Sequence, residues 1–204
     1  MTTSAKRIGL LGGTFDPVHN AHVVLACIAL DALALDALRF VPAGQPWQKT
    51  RRITSAAHRV AMLEAAIAGE PRFAVERCEV ERSGPSYSLD TVRQLQQREP
   101  GAQWCFILGQ DQFANLHTWH GWEELLTRVT LAVAARPGAA PTVDAALQGH
   151  PYQVLPMPHM DVSASDIRAR VARGEVIGEL VPPAVAGYID QHHLYLPERA
   201  HPGS

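Results

Sequence analysis

Residues 12–22, Gly-Gly-Thr-Phe-Asp-Pro-Val-His-Asn-Ala-His, constrain this chain more than any other segment. An apolar run over residues 8–11 precedes them and a long apolar segment over residues 23–38 follows. This pattern predicts a strand, a glycine turn and a helix. Gly12 and Gly13 would let the backbone turn without Cβ clashes and approach a ligand closely. Because a helix start offers unpaired N–H groups and the positive end of its dipole, we expect a phosphate site here.

Two histidines in this stretch are the first candidates for catalysis. His19 and His22 are three residues apart, so at a helix start they lie on one face and can donate hydrogen bonds to one anion. Ordinary surface histidines are one alternative, and a metal pair with Asp16 as its local third ligand is another. Thr14 and the surrounding amides would complete the cradle, while Phe15 would anchor it by packing. Asp16, which precedes a proline, is predicted to hold the turn.

The stretch has neither of the common phosphate-binding patterns, Gly-x-x-x-x-Gly-Lys-Ser/Thr or Gly-x-Gly-x-x-Gly. It resembles the Gly-x-Phe-Asp-Pro-x-His-x-Gly-His signature of the nucleotidyltransferase superfamily. One position departs from that signature, since Ala21 stands where glycine is usual. Alanine is the smallest substitute and the better helix former, so we expect a slightly tighter site that is still intact.

Predicted strands and helices alternate along the whole chain. The predicted strands are residues 6–11, 38–41, 72–80, 104–108, 129–134 and 152–155, and the main predicted helices are 22–35, 56–68, 89–98 after a Ser88 cap, 163–173 and 183–192. Alternation of this kind predicts an α/β fold, a Rossmann-like doubly wound parallel sheet that binds ligands beyond the carboxyl ends of its strands. At 204 residues and 47% hydrophobic content we expect a single nucleotidyltransferase domain, with residues 1–6 and 198–204 as flexible tails.

Charge and cysteine usage narrow the partners and the compartment. A formal net charge of −2 creates no global field that attracts nucleic acid or membrane, so any anion site must be local. The three cysteines have no paired or Cys-x-x-Cys spacing, and we expect buried free thiols in a reducing cytosol. The first residues are too short and polar for a signal peptide, and aspartates interrupt the longest apolar stretch. We therefore expect a cytoplasmic protein without nucleic-acid or membrane partners, and a homo-oligomer stays open.

A second helix start lies at residues 161–168, Asp-Val-Ser-Ala-Ser-Asp-Ile-Arg. Ser163 with Asp166 three residues later is typical of a helix cap, and a helix start is a second anion site. Arg168 lies one turn into this helix and can reach a phosphate with two hydrogen bonds, although a solvated arginine on a plain capped helix fits equally well. The stretch resembles, position by position, the Ile-Ser-Ser-Thr-x-Ile-Arg motif near the C-terminus of the superfamily.

A basic cluster follows the second predicted strand. Lys49, Arg51 and Arg52 lie on or just after a loop that contains two prolines and a glycine. The cluster is either a solvated face or a mobile basic arm that closes on a triphosphate. The resemblance favours Lys49, because the family often has Lys or Arg near the end of this Val-Pro-x-x-x-Pro loop.

Two further segments indicate a branch of the superfamily. Residues 84–91, Gly-Pro-Ser-Tyr-Ser-Leu-Asp-Thr, and the pair Thr118 and Trp119 resemble the Pro-Ser-Tyr-Thr-x-x-Thr and Thr-Trp segments of nicotinate-nucleotide adenylyltransferases. That resemblance implies a pyridine ring stacked on Trp119, with plain core packing as the alternative for Trp119 and Trp122. The residues it implies for nicotinate mononucleotide are Ser86, Tyr87, Ser88, Trp119 and Asp111.

Asp111 matches a Gly-x-Asp at a strand end, where it would accept ribose hydroxyls or cap a helix. Other histidines have no such context and are interpreted as surface or structural: His58, His117, His120, His192 and His193.

The resemblance implies that ATP and nicotinate mononucleotide give nicotinate adenine dinucleotide and pyrophosphate, a step of NAD biosynthesis. His19, His22 and Arg168 would be catalytic. The residues implied for ATP are Gly12, Gly13, Thr14, Phe15, Lys49, Ser163 and Ser165. Mg²⁺ is expected, held through the ATP phosphates and water with no protein metal ligand.

Three alternatives stay open at this point. Within the superfamily, the chain could be a phosphopantetheine adenylyltransferase or could use nicotinamide mononucleotide. From another class, it could be a nucleotide-binding sensor without turnover. A pure binder has no need to stabilise a leaving pyrophosphate, so the intact His19, His22 and Arg168 argue against the sensor.

Overall fold

Six strands form one parallel sheet in the computed structural model, which describes residues 5–44, 53–135 and 141–197. The strands are β1 Arg7–Gly13, β2 Ala37–Pro42, β3 Phe73–Val75, β4 Gln103–Gly109, β5 Thr130–Ala135 and β6 Tyr152–Pro156. Their order in the sheet is β3-β2-β1-β4-β5-β6. This order, reversing between β1 and β4, is that of the doubly wound Rossmann fold, so the predicted fold class is confirmed.

Helices connect the strands and cover both faces of the sheet. They are α1 Asn20–Ala32, α2 Ala56–Ile67, α3 Cys78–Glu81, α4 Ser88–Arg98, α5 Gln110–Ala114, α6 Trp122–Arg128, α7 Ala164–Ala172 and α8 Pro183–Gln191, with 3₁₀ turns at Leu116–Thr118 and Ala145–Leu147. Within the described ranges, no helix combines the length and the apolar character that crossing a membrane requires.

Two hydrophobic cores lie on opposite faces of the sheet, because successive side chains of a strand point to opposite sides. In β1, Leu11 packs with α1, α2, α7 and α8, whereas Ile8 and Leu10 pack with α4, α5 and α6. Ile8 and Leu10 are completely buried, which stabilises the fold by roughly 1.5–3 kcal/mol for each side chain. β1 is therefore the apolar centre of the molecule, and its carboxyl end leads directly into residues 14–19, the β1–α1 loop.

The predicted strand over residues 72–80 is only partly correct. β3 ends at Val75, although the Glu76 N–H still donates to Phe40 O at 2.9 Å, and the short helix α3 follows. The reason is that Cys78 and Glu79 are both buried, Cys78 in the core beneath α4 and Glu79 against Thr91. An extended chain would point these neighbours to opposite faces, and the helical turn brings both inward.

Candidate active site

A cavity of about 430 Å³ opens where β1, β2 and β4 end. Most of the residues predicted for catalysis, for ATP or for the mononucleotide line this cavity. They are Gly12, Gly13, Thr14, Phe15, His19, His22, Ser86, Tyr87, Ser88 and Trp119. The volume is in the usual range for a small-molecule site, and the position is the one where parallel α/β sheets bind ligands. The fold thus brings the histidine motif and the aromatic segment into one space.

Phe15, rather than a glycine, takes the left-handed conformation that turns the chain after β1. Its φ is 49°, while β1 continues through Gly13. A Cβ on Gly13 would lie 3.0 Å from Phe15 Cζ, and a Cβ on Gly12 would meet no atom within 4 Å. Gly13 therefore makes room for the Phe15 ring, and Gly12 leaves open space at the mouth of the strand. The buried Phe15 ring packs edge-on against His22, with 5.0 Å between ring centroids.

His22 is held as a neutral hydrogen-bond donor. The backbone N–H of His19 donates to His22 Nδ1 at 3.2 Å, and the two rings stack with centroids 3.7 Å apart. Burial lowers the pKa of His22 well below its ordinary value, and the neighbouring His19 lowers it further. Because Nδ1 accepts a bond in the neutral ring, the proton lies on Nε2. His22 therefore contributes an Nε2–H donor on a side chain that lines the cavity.

His19 is the N-cap residue of α1 and is 8% exposed. Burial lowers the pKa of His19 to about 4. Its side chain lies against the backbone N–H of His22 in a reciprocal capping box, and its buried Nδ1 makes no closer hydrogen bond in the described part of the chain. His19 lines the cavity at a helix start, and that position favours an anionic ligand.

Arg168 brings α7 to the same loop from 152 positions away in the chain. Its Nη1 donates to the Asp16 carbonyl oxygen at 2.6 Å, and its Nη2 donates to Ser165 Oγ at 3.2 Å. The Arg168 guanidinium therefore contacts the middle of the β1–α1 loop, and the histidine pair follows at the end of that loop. Arg168 does not itself line the cavity, where α7 contributes Ala164, so the two motifs meet at the β1–α1 loop.

Ser163 caps α7, as the Ser-x-x-Asp spacing predicted. Its Oγ accepts from the Asp166 N–H at 3.1 Å, and the next residue, Ala164, lines the cavity. Ser163 and Ser165 are themselves exposed, so the start of α7 faces both the cavity and solvent. The basic cluster of Lys49, Arg51 and Arg52 lies outside the described residues.

Asp111 does not line the cavity. It is exposed in the first turn of α5, where its backbone carbonyl accepts from Asn115 Nδ2 at 2.9 Å. Gly109 occupies the N-cap position, so the alternative role of Asp111 as a cap does not apply, and Gln112 of the same helix reaches the cavity instead.

Tyr87 and Ser88 form the wall of the cavity opposite the histidines' helix. Tyr87 is the N-cap residue of α4 and its side chain makes no cap bond, so the prediction that Ser88 caps this helix was wrong by one residue. The Tyr87 ring packs against His120 at 4.5 Å, and His120 lines the cavity too. Nothing in the residues around His120 indicates a place in the cavity. The tight Gly121 turn explains it, because a Cβ at this glycine would lie 2.4 Å from Leu89 of α4.

Trp119 lines the cavity while its edge contacts the core. Its ring meets Phe106 nearly at a right angle, with centroids 6.3 Å apart. Its Nε1 is buried and has no hydrogen-bond partner in the part of the chain that is described. Trp122, in contrast, packs edge-on against His150 and does not line the cavity. Trp119 therefore lies where it can stack on a ligand in the cavity, whereas Trp122 lies outside the cavity, where plain packing accounts for it.

Glu79 is a cavity residue that sequence reasoning missed. It is 8% exposed, its Oε1 accepts from Thr91 Oγ1 at 2.7 Å, and it also hydrogen-bonds to the Ser86 hydroxyl. Burial raises the pKa of Glu79, which these hydrogen bonds partly oppose. Ser86 Oγ accepts from the Gly44 N–H at 3.0 Å, so Glu79 and Ser86 together join α4 to the end of β2. No local pattern marks this glutamate, because its partners come from other elements.

Arg59 and Tyr195 are further residues that the sequence did not indicate. Arg59, 2% exposed in α2, donates from Nη1 to the Thr14 carbonyl at 2.9 Å. The Tyr195 hydroxyl donates to Asp16 Oδ1 at 2.8 Å, across 179 positions of sequence. Asp16 is 1% exposed, so the prediction of a simple turn former omitted its buried contacts.

Acidic side chains at the cavity are already engaged. Asp16 and Glu79 both accept hydrogen bonds from hydroxyl groups, as given above. Over the described ranges, no three His, Cys, Asp or Glu side chains lie close enough together to hold a metal ion.

The parallel sheet, the β1–α1 loop with its histidine pair, and Arg168 of α7 define a nucleotidyltransferase of the α/β class. Residues 10–170 match the cytidylyltransferase-like family. Among solved structures, the chain is similar to Plasmodium falciparum nicotinic acid mononucleotide adenylyltransferase complexed with NaAD, with a TM-score of 0.76, 21% identity, and 93% and 97% of the two chains covered. At that identity the likeness supports the fold.

Curated relatives narrow the assignment. The probable nicotinate-nucleotide adenylyltransferase of Methylibium petroleiphilum is 51% identical over 95% of this chain and 94% of its own length. That of Bordetella pertussis is 49% identical over 93% and 98%. This chain therefore belongs to the nicotinate-nucleotide adenylyltransferases of the cytidylyltransferase-like family. The resemblance found in the motifs is confirmed.

Proposed function

We propose that this chain transfers the adenylyl group of ATP to nicotinate mononucleotide, giving nicotinate adenine dinucleotide and pyrophosphate in NAD biosynthesis. The observation that carries the proposal is the bond from Arg168 Nη1 to the Asp16 carbonyl at 2.6 Å. This bond places the Arg168 guanidinium on the loop that leads to His19 and His22. Trp119 lines the same cavity, so both substrates would share one space.

The chemistry requires no nucleophile from the protein. A phosphate oxygen of the mononucleotide attacks the α-phosphorus of ATP, a new P–O bond forms, and the bond to the bridging oxygen of pyrophosphate breaks. The leaving pyrophosphate keeps the electron pair. Because the attacking oxygen is already ionised at neutral pH, no protein base is needed. Catalysis then depends on in-line positioning and on stabilising charge in the transition state.

Three side chains supply that stabilisation on the phosphate side of the cavity, which we define as the β1–α1 loop, His22 and the start of α7. His22 donates from Nε2 as a neutral ring, so it adds no charge that must be desolvated. His19 lines the cavity beside it and would donate to the same anion. Arg168 adds a permanent positive charge, since guanidinium stays protonated. Gly12, Gly13 and Thr14 line the cavity beside them, and we assign Phe15, Ser163, Ser165 and Lys49 to ATP on the motif resemblance.

The pyridine side, defined as Ser86, Tyr87, Ser88 and Trp119, would hold the mononucleotide. α4 begins here without a side-chain cap, and free N–H groups at a helix start favour a carboxylate such as that of nicotinate. The Trp119 face would stack on the electron-poor ring. Ser86 would contribute by holding the wall, since its hydroxyl is engaged by Gly44 and Glu79. A ribose contact for Asp111 stays a prediction.

We also propose Mg²⁺ as the accompanying ion, held by the ATP phosphates and water. When bound, it would neutralise part of the triphosphate charge. The engaged carboxylates of Asp16 and Glu79 support this arrangement over a protein cage. A cytoplasmic location, the absence of nucleic-acid and membrane partners, and a homo-oligomer remain sequence predictions. Cys27, Cys78 and Cys105 are free thiols, which agrees with a reducing compartment, although Cys27 is exposed where a buried thiol was expected.

Pyrophosphate release tests the proposal when ATP is combined in turn with nicotinate mononucleotide, nicotinamide mononucleotide and phosphopantetheine. We expect the highest kcat/KM with nicotinate mononucleotide. A preference for the amide or for phosphopantetheine would reassign the substrate within the superfamily. Binding of ATP without pyrophosphate release in any mixture would favour the nucleotide sensor.

A further inference from the structure

Asp16 is a buried meeting point of four separate parts of the chain. The Tyr195 hydroxyl, after α8, donates to its Oδ1 at 2.8 Å, and Arg168 of α7 donates to its carbonyl at 2.6 Å. The Thr54 N–H, just before α2, lies 3.5 Å from its Oδ2. At 1% exposure, this carboxylate depends on such donors, because a buried charge without partners is strongly destabilising.

The loop around Asp16 requires external support. Phe15, the preceding residue, has a φ of 49°, a region that side chains other than glycine rarely adopt. Such conformations persist only where the surrounding structure over-determines them. Arg59 supports one side by donating to the carbonyls of Thr14 and Thr54, at 2.9 and 3.0 Å. Tyr195 supports the other side through the Asp16 carboxylate.

We propose that Tyr195 is a positioning residue for adenylyl transfer: its hydroxyl fixes the Asp16 side chain, and through it the β1–α1 loop that carries His19 into the cavity. This inference rests on the proposed function. Tyr195 acts through Asp16 and does not itself line the cavity. Its contribution is to keep the histidine pair and Arg168 at the spacing that the transition state requires, since small displacements of positioning groups lower turnover.

The position of the Tyr195 hydrogen bond distinguishes this role from simple anchoring of the C-terminal segment to the core. Apolar contacts are enough to anchor the segment, and Tyr195 has them because its ring packs with the core on the α1, α2 and α8 face. The hydroxyl adds a bond to a carboxylate in the catalytic loop, 179 positions away. Removal of that oxygen alone should leave the packing of the ring in place and release the loop.

Tyr188 provides a matched control. It lies on α8, and its hydroxyl hydrogen-bonds to His58 Nδ1 at 3.0 Å, on the same helix α2 that carries Arg59. It is half-buried, like Tyr195, and does not contact the β1–α1 loop through that bond. Tyr188→Phe therefore removes the same atom from the same part of the fold without touching Asp16.

The experiment measures kcat and both KM values for wild type, Tyr195→Phe and Tyr188→Phe, with circular dichroism melts of each protein. We expect Tyr195→Phe to remain folded and to lose roughly tenfold in kcat, with the mononucleotide KM unchanged. Tyr188→Phe should keep wild-type kcat. Wild-type kcat in Tyr195→Phe, an equal loss in both variants, or a Tyr195→Phe protein unfolded at the assay temperature would overturn the inference.

A double-mutant cycle tests whether the effect passes through Asp16. In an Asp16→Ala background, Tyr195→Phe should cause no further loss of kcat, because the acceptor is already gone. An additive loss would also contradict the inference. If wild type itself released no pyrophosphate, the proposed function would fail instead, so the two failures are distinguishable.

Discussion

The phosphate side and the pyridine side of the cavity are held together in different ways. On the phosphate side, Arg59, Arg168 and Tyr195 donate hydrogen bonds to the β1–α1 loop, and His22 accepts one from the neighbouring His19 amide. On the pyridine side, rings pack against rings, as Tyr87 does with His120 and Trp119 with Phe106. Hydrogen bonds from distant elements hold the phosphate side, whereas the pyridine side combines ring packing with the hydrogen bonds of Ser86 to Gly44 and Glu79.

This difference matters because the free-energy cost of removing one partner is not the same for a hydrogen bond as for an apolar contact. A buried polar group left without its partner costs the full penalty of desolvation, so errors on the phosphate side are expensive. A ring that loses a neighbour loses only part of its contact area. We therefore expect changes on the phosphate side to reduce turnover and changes on the pyridine side to weaken one substrate's binding.

The largest effect is expected for His22→Ala. Removal of one donor to the transition state should lower kcat by about a hundredfold to a thousandfold, roughly 3–4 kcal/mol of barrier. Steady-state kinetics, with circular dichroism to confirm folding, measure the effect. His58→Ala is the matched control, because His58 packs with Tyr188 and His192 instead of the cavity. An unchanged kcat in His22→Ala would show that His22, on the phosphate side, does not stabilise the transition state.

A second effect concerns the acid stability of the phosphate side. The pKa of His19 is lowered by burial from 6.5 to about 4, so between these values the unfolded chain binds a proton that the folded chain does not. Stability therefore rises with pH across this window and falls as the pH drops from 6.5 towards 4. The loss for this one group is about 3 kcal/mol.

Urea unfolding of wild type and His19→Asn at several pH values measures it. The variant should be less sensitive to acid over that window. Addition of pyrophosphate should stabilise wild type more than the variant, since an anion on the ring raises its pKa. The same pH dependence in both proteins would show that His19 is not the buried neutral imidazole with the lowered pKa.

The smallest of these effects is expected on the pyridine side. Trp119→Ala should raise the KM for nicotinate mononucleotide roughly tenfold, the usual scale of one lost stacking contact, and leave the KM for ATP nearly unchanged. Trp122→Ala is the control, because that ring packs against His150 outside the cavity. Equal increases in both KM values for Trp119→Ala would contradict the stacking assignment. They would also contradict the assignment of the two sides of the cavity to different substrates.

Residues of the site differ in how far the sequence could indicate them. His19, His22 and Ser163 follow from spacing at helix starts; α7 begins after the predicted Ser163 cap, whereas α1 begins at Asn20, two residues before the predicted start. Glu79 and Tyr195 were missed, because each acts on a residue of another element. Asp111 shows the converse, since a motif match at a strand end did not bring its side chain into the cavity.

What the sequence determined by itself is the alternation of strands and helices, the parallel sheet, the capped start of α7 and the family. These depend on periodicity, on residues a few positions apart, or on motifs, all of which are written in consecutive residues. The tertiary structure alone decided that Phe15 makes the turn, that α3 interrupts the predicted strand over residues 72–80, and that Asp16 bonds to Tyr195. Contacts across 179 positions depend on how whole helices pack against the sheet, and no local pattern of residues encodes that packing.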